Sequence, residues 1–147
     1  MLPKFQESHA RGLAVATQVI HVAILDDEAS IREALSRLLT TPGMIARAYA
    51  TSDELFESVA LECPDCLVLD LQMPDMSGLD VLKYLNQRQI HIPTIVITGH
   101  DEKNSRGACM NAGALAYLLK PLDVELLVAT IENISGDPQR DALPPIT

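Results

Sequence analysis

Apolar positions fall in two kinds of block along this chain. Short continuous apolar runs alternate with stretches in which apolar residues return every three or four positions. Residues 19–25 are apolar apart from His21, the pattern of a strand buried on both faces. Ile31, Leu35, Leu38 and Leu39 then recur at helical spacing, with Pro42-Gly43 closing the helix. Residues 44–50 predict a second strand, exposed where Arg47 interrupts it. Thr51 with Glu54 three residues on is a capping-box signature for a helix running toward Leu61. Leu67-Val68-Leu69-Asp70 forms the third strand, broken afterwards by Pro74, Asp75, Ser77 and Gly78.

The same alternation continues to the end. Residues 78–86 predict a helix with Leu79, Leu82 and Leu85 on one face, and Thr94-Ile95-Val96-Ile97-Thr98 a strand ending in a hydroxyl before Gly99. Residues 102–112 predict a polar, weakly amphipathic helix, with Gly113 suited to the position after its cap. Residues 114–119 form a last short strand running into Lys120-Pro121. Asp123 then caps a helix with a stripe of Val124, Leu127, Val128 and Ile131, ending near Gly136. Five strands alternating with five helices imply a parallel sheet with helices on both faces, because parallel strands need long crossovers.

Composition narrows the class. A chain of 147 residues holds one domain with a real core. Its net charge of −9, with no run of Lys or Arg, argues against a direct nucleic-acid surface. No apolar run approaches the roughly 18–20 residues of a membrane span, and the patch Leu13-Ala14-Val15-Ala16 is too short for a secretory signal. Three cysteines suggest a reducing compartment, so the expectation is a cytoplasmic protein. The organisation expected is an N-terminal extension over residues 1–18, one domain over 19–136, and a Pro-containing tail or linker start over 137–147.

The chemistry gathers at one edge. In a parallel sheet the C-terminal ends of all strands lie on the same rim, where ligands bind in open α/β sheets. That rim should carry Asp26 and Asp27 from the first strand, Asp70 from the third, Thr98 from the fourth and Lys120 from the fifth. Three carboxylates close together resist joint ionisation. A divalent cation resolves the conflict, and hard oxygen ligands suit Mg²⁺. A lysine and a hydroxyl facing the same point suit the oxygens of a phosphoryl group. Together they describe a site that takes a phosphoryl group onto a carboxylate.

Asp26-Asp27, Asp70 followed by Met73-Pro74 and Gly78, Thr98-Gly99, Tyr117 and Lys120-Pro121 closely resemble the receiver domain of two-component response regulators. The match runs from about residue 19 to 135, and Thr98-Gly99-His100 also resembles receivers of the nitrogen-fixation type. The resemblance implies a flavodoxin-like (βα)5 doubly wound fold with strand order 2-1-3-4-5. Asp70 would be the phosphoacceptor, receiving the group from a phosphohistidine on a sensor histidine kinase or histidine phosphotransfer protein. Asp27, Asp70 and the backbone carbonyl of Gln72 would bind Mg²⁺ directly, and Asp26 through a metal-bound water. Lys120 would pair with phosphoryl oxygens, and Pro121 would follow a cis peptide. Thr98 would donate to the phosphate and Tyr117 would rotate inward after it. These motions would switch the surface of the fourth helix, fifth strand and fifth helix toward a downstream protein partner. His100 would overlook the acid site and tune how long the phosphoryl group lasts. No enzymatic turnover is expected beyond self-phosphorylation and self-dephosphorylation at Asp70.

Other readings fit less of the pattern. A flavodoxin-type carrier needs a phosphate loop where Asp26-Asp27-Glu28 stands, and a related phosphohydrolase has a second acid where Gln72 stands. A phosphate-independent interaction module, a phosphorelay shuttle and a receiver fragment of a longer transcriptional regulator stay open. After Ser135 too few residues remain for a DNA-binding or enzymatic output domain on this chain. Cys63-Pro64-Asp65-Cys66 precedes a strand rather than a helix, which argues against a redox pair and leaves Cys66 as core packing. The apolar stripes on the first and last helices are core, a homodimer face on the last helix being the alternative. His9, His21 and His91 show no ligand spacing.

Overall fold

The computed structural model describes residues 18–135. The expected extension over 1–18 and the tail over 137–147 therefore lie outside the described residues, apart from Gln18. Among the described residues five strands, β1 (Ile20–Leu25), β2 (Met44–Tyr49), β3 (Cys66–Asp70), β4 (Thr94–Thr98) and β5 (Ala116–Leu119), alternate with five helices. The helices are α1 (Ala29–Leu39), α2 (Ser52–Leu61), α3 (Gly78–Gln87), α4 (Ser105–Asn111) and α5 (Val124–Ser135). The strands form one parallel sheet in the order β2-β1-β3-β4-β5.

Side-chain alternation along each central strand divides the core in two. Leu67 and Leu69 pack with Leu55, Val59, Val81, Leu82, Leu85 and Cys109, under α2, α3 and α4. Cys66 and Val68 pack with Leu35, Leu39, Leu127 and Ile131, under α1 and α5. Every residue of β3 and β4 is buried, as their apolar runs require. Burying each such aliphatic side chain contributes about 1.5–3 kcal/mol, so the central strands hold the acceptor rim in place.

Caps fix where the helices start. Thr51 Oγ1 accepts the Glu54 N–H at 3.2 Å, while the Glu54 carboxylate accepts the Ala50 N–H at 2.9 Å. Ser77 Oγ accepts the Asp80 N–H at 3.1 Å, and the Asp123 carboxylate accepts the Leu126 N–H at 3.2 Å. These short polar groups supply acceptors that the first helical turn lacks.

Four local expectations need correction. α4 begins at Ser105 rather than at residue 102, because Asn104 adopts left-handed φ of 70° and residues 102–105 close a turn instead. The last strand begins at Ala116, since the Ala114 N–H is spent on the Cys109 carbonyl and Gly113 N–H on Met110. Those two bonds, with Gly113 at φ 111°, are the Schellman closure of α4. α1 ends at Leu39, and Pro42-Gly43 forms the tip of a turn bridged by Thr41 and Met44. Leu38, counted with the core stripe, is 46% exposed. On α5 Leu127 and Ile131 are buried, whereas Leu126 stands outward at 50% exposure.

Candidate functional site

β3 delivers Asp70 to the rim at the end of its buried run, and Leu71 N–H continues onto the Ile97 carbonyl of β4. α3 then turns back directly against the strand end. The Gly78 N–H donates to the Leu71 carbonyl at 2.8 Å. A Cβ at Gly78 would lie 2.6 Å from the Asp70 carbonyl oxygen and 2.9 Å from Leu71 Cα. Only glycine permits that approach, because backbone rather than a flexible side chain stands in the way.

Asp26, Asp27 and Asp70 converge as expected: each presents an oxygen within 4.8 Å of the others. Asp26 is fully buried and Asp70 nearly so, whereas Asp27 is exposed. The Glu28 N–H donates to Asp26 Oδ1 at 2.9 Å, and Arg32 Nη1 donates to the Asp26 carbonyl at 2.8 Å, which pins α1 to the end of β1. Lys120 reaches in from the end of β5, with Nζ 3.0 Å from Asp26 Oδ2, 3.4 Å from Glu28 and 3.6 Å from Asp70 Oδ1. Its peptide bond to Pro121 is cis.

Electrostatics records the crowding. Burial, and next the neighbouring Asp26 charge, push the Asp70 carboxyl up to about 7, against the pull of Lys120 and the Gln72 N–H. That N–H lies 3.4 Å from Asp70 Oδ1. Burial works against the Lys120 ammonium, but its hydrogen bond to Asp26 and the Asp70 charge outweigh that and raise its pKa. A carboxylate pushed upward beside two more acids is a site short of positive charge. All-oxygen donors in one partly open cluster fit a hard divalent cation such as Mg²⁺, and Asp26, Asp27 and Asp70 are the residues that could hold it.

Thr98 and Tyr117 stand on the neighbouring strands β4 and β5. Thr98 is buried, and its hydroxyl accepts the His100 N–H at 3.0 Å while donating to the His100 carbonyl at 3.1 Å. Tyr117 is only 5% exposed, with its hydroxyl donating to Asp101 at 3.0 Å. Its ring is therefore buried against the core, with the hydroxyl reaching the loop after β4. Burial, then the bond and charge of Asp101, raise its phenol pKa. His100 is exposed on the loop after β4.

The family profile of the response regulator receiver domain matches residues 22–132. The chain belongs to the response regulator receiver domains. Receivers are the phosphoaccepting modules of two-component systems. The chain is 36% identical over 113 residues to the DNA-binding transcriptional regulator NtrC of Proteus hauseri, covering 77% of this chain and 24% of that protein. It is 35% identical over 114 residues to the transcriptional regulatory protein FixJ of Rhizobium meliloti, covering 78% of this chain and 56% of FixJ. The receiver thus spans about a quarter of the one relative and about half of the other. Among solved structures, FixJ-N superposes with a TM-score of 0.72 at 37% identity, covering 81% of this chain and 95% of that one. The signal receiver domain of a LuxO repressor protein from Vibrio parahaemolyticus shares the fold with a TM-score of 0.78 at 22% identity. The flavodoxin-like sheet order expected from the receiver pattern is the one found.

Two residues at this rim escaped the sequence reading. Glu28 was visible only as a third acid, and nothing in its spacing indicates that it meets Lys120. Asp101 lies sixteen positions from its partner Tyr117, with no local pattern linking them. The Cys63 and Cys66 thiols are unpaired; Cys66 is buried in the core, and burial pushes it up to about 12, which suppresses thiolate chemistry.

Proposed function

We propose that Asp70 accepts a phosphoryl group from a phosphohistidine on a sensor histidine kinase or histidine phosphotransfer protein, with Mg²⁺ as the cofactor. The observation that carries this reading is the meeting of Asp26, Asp27, Asp70 and Lys120 at one rim. In-line phosphoryl transfer needs positioning and charge neutralisation more than covalent help from the protein. Asp70 supplies the attacking oxygen, the nitrogen–phosphorus bond of the phosphohistidine breaks, and the imidazole leaves. Asp70, Asp27 and the Gln72 backbone carbonyl would hold the cation directly, and Asp26 through a metal-bound water. Bound there, it would neutralise the acids and the incoming oxygens. Lys120 Nζ stands 3.6 Å from Asp70, near enough to turn from Asp26 toward a phosphoryl oxygen. Thr98 then donates to that group, and the surface of α4, β5 and α5 changes for a downstream protein partner. The chain acts once per phosphoryl group, accepting and later losing it, without turnover of another substrate.

The test is intact-mass measurement after incubation with acetyl phosphate, with Mg²⁺ or with a chelator. One phosphoryl adduct that requires Mg²⁺ and is absent from Asp70→Asn supports the reading. No adduct, together with failure to bind a beryllium fluoride mimic, favours a phosphate-independent interaction module instead.

A further inference from the structure

Two hydroxyl groups at the rim are fastened to the same short loop. Thr98 and Tyr117 each have one hydroxyl proton to donate. Thr98 gives its proton to the His100 carbonyl, and Tyr117 gives its proton to Asp101 Oδ1 at 3.0 Å. His100 and Asp101 are consecutive, so one peptide joins both acceptors. Arg106 closes the arrangement from α4: its guanidinium carbon lies 5.6 Å from the Tyr117 ring centroid, and Nη1 lies 3.4 Å from the Tyr117 carbonyl oxygen. Packing against the core cluster holds the ring, but Asp101 holds its hydroxyl.

We infer that Asp101 is a positioning residue, a latch that fixes the Tyr117 hydroxyl and couples it through the loop to Thr98. The inference rests on Asp70 being the phosphoacceptor. When Thr98 donates to a phosphoryl oxygen, its single proton leaves the His100 carbonyl. That carbonyl loses its donor and the loop is released at one end. Asp101, the next residue, is held at the other end by Tyr117. The latch therefore stabilises the arrangement before phosphoryl transfer, and a charged acceptor makes it stronger than a neutral one would. Removing either half frees the loop to let Thr98 turn toward Asp70.

The test is calorimetric titration of the full chain with beryllium fluoride and Mg²⁺, using the parent, Asp101→Ala, Tyr117→Phe, the double variant and Asp101→Asn. Each of Asp101→Ala and Tyr117→Phe is expected to bind about tenfold tighter than the parent. The double variant should gain no more than either single, because both remove one interaction. Asp101→Asn keeps an acceptor oxygen but not the charge, and should fall between the parent and Asp101→Ala. Gains that multiply in the double variant, or affinities that are unchanged or weaker, overturn the latch. Tyrosine ring-carbon NMR without beryllium fluoride gives a readout independent of the acceptor. The Tyr117 signal should move in Asp101→Ala and move less in Asp101→Asn; an unmoved signal in Asp101→Ala also overturns the latch. A parent that binds no beryllium fluoride overturns the acceptor reading and the coupling built on it, while the NMR result still decides the Tyr117–Asp101 contact. Urea unfolding of each variant verifies that it is folded.

Discussion

Asp70→Asn removes the charge that the rim tolerates least while keeping the side chain's shape. In the metal-free protein the Asp70 carboxyl is pushed up to about 7, chiefly by burial and then by Asp26. The gap from an ordinary carboxylate value of about 3.9 corresponds to a ceiling of ~4 kcal/mol. Neighbouring polar groups relax around the charge, and the variant also loses the attraction of Lys120, so ~1–2 kcal/mol is the expected net gain. The sign follows from proton counting. Between about pH 4 and about pH 7 the folded carboxyl holds its proton and the unfolded one has lost it, so stability falls as pH rises through that window. Above it the penalty is complete and constant. Urea unfolding followed by circular dichroism in chelator should therefore find Asp70→Asn more stable than the parent by ~1–2 kcal/mol near about pH 8, and nearly equal near about pH 4.5. Mg²⁺ should raise the parent's stability more than the variant's, because the variant has lost one of three acids. A variant no more stable than the parent at the higher pH, or a difference independent of pH, would refute this account of the site's electrostatics.

Packing and charge elsewhere in the fold set three further outcomes. Gly78→Ala should cost about 1–3 kcal/mol in urea unfolding, because its Cβ meets the Asp70 carbonyl at 2.6 Å; an unchanged midpoint would show that α3 can retreat freely. Lys120→Ala leaves Asp26 without its cation at 3.0 Å and should destabilise the chelated protein by about 1–3 kcal/mol. Added Mg²⁺ should recover part of that loss, and a loss untouched by Mg²⁺ would mean that Lys120 acts by packing. Thiol labelling near about pH 8 should modify exposed Cys63 while sparing Cys66, whose thiol is pushed up to about 12. Equal rates for the two in the folded protein would contradict the burial argument.

Most of this architecture is legible in the chain because strand burial and helix periodicity leave different patterns. Leu67-Val68-Leu69, bounded by turn residues, has the pattern of a doubly covered strand, and its neighbours repeat the form. A parallel sheet then forces Asp26, Asp70, Thr98 and Lys120 to one edge without any knowledge of side-chain positions. Boundaries were harder where a single backbone angle decided them, as at Asn104 and Gly113. Leu38 shows the limit of counting periodicity, since a stripe wider than its groove leaves one member outside. Glu28 and Asp101 were hidden for another reason. Each gains its role from a partner distant in sequence, Lys120 or Tyr117, and long-range pairing leaves no local signature. The burial of the Tyr117 ring was likewise beyond sequence, because it depends on what its hydroxyl finds.

The most direct measurement is the chemical location of the phosphoryl group itself. Borohydride reduction of the protein treated with acetyl phosphate and Mg²⁺ cleaves an acyl phosphate to an alcohol, which peptide mass spectrometry can place. One reduced residue is expected, Asp70, lost when Mg²⁺ is withheld. Reduction at Asp26 or Asp27, or a phosphoryl group that resists borohydride and maps to His100, would contradict Asp70 as the acceptor.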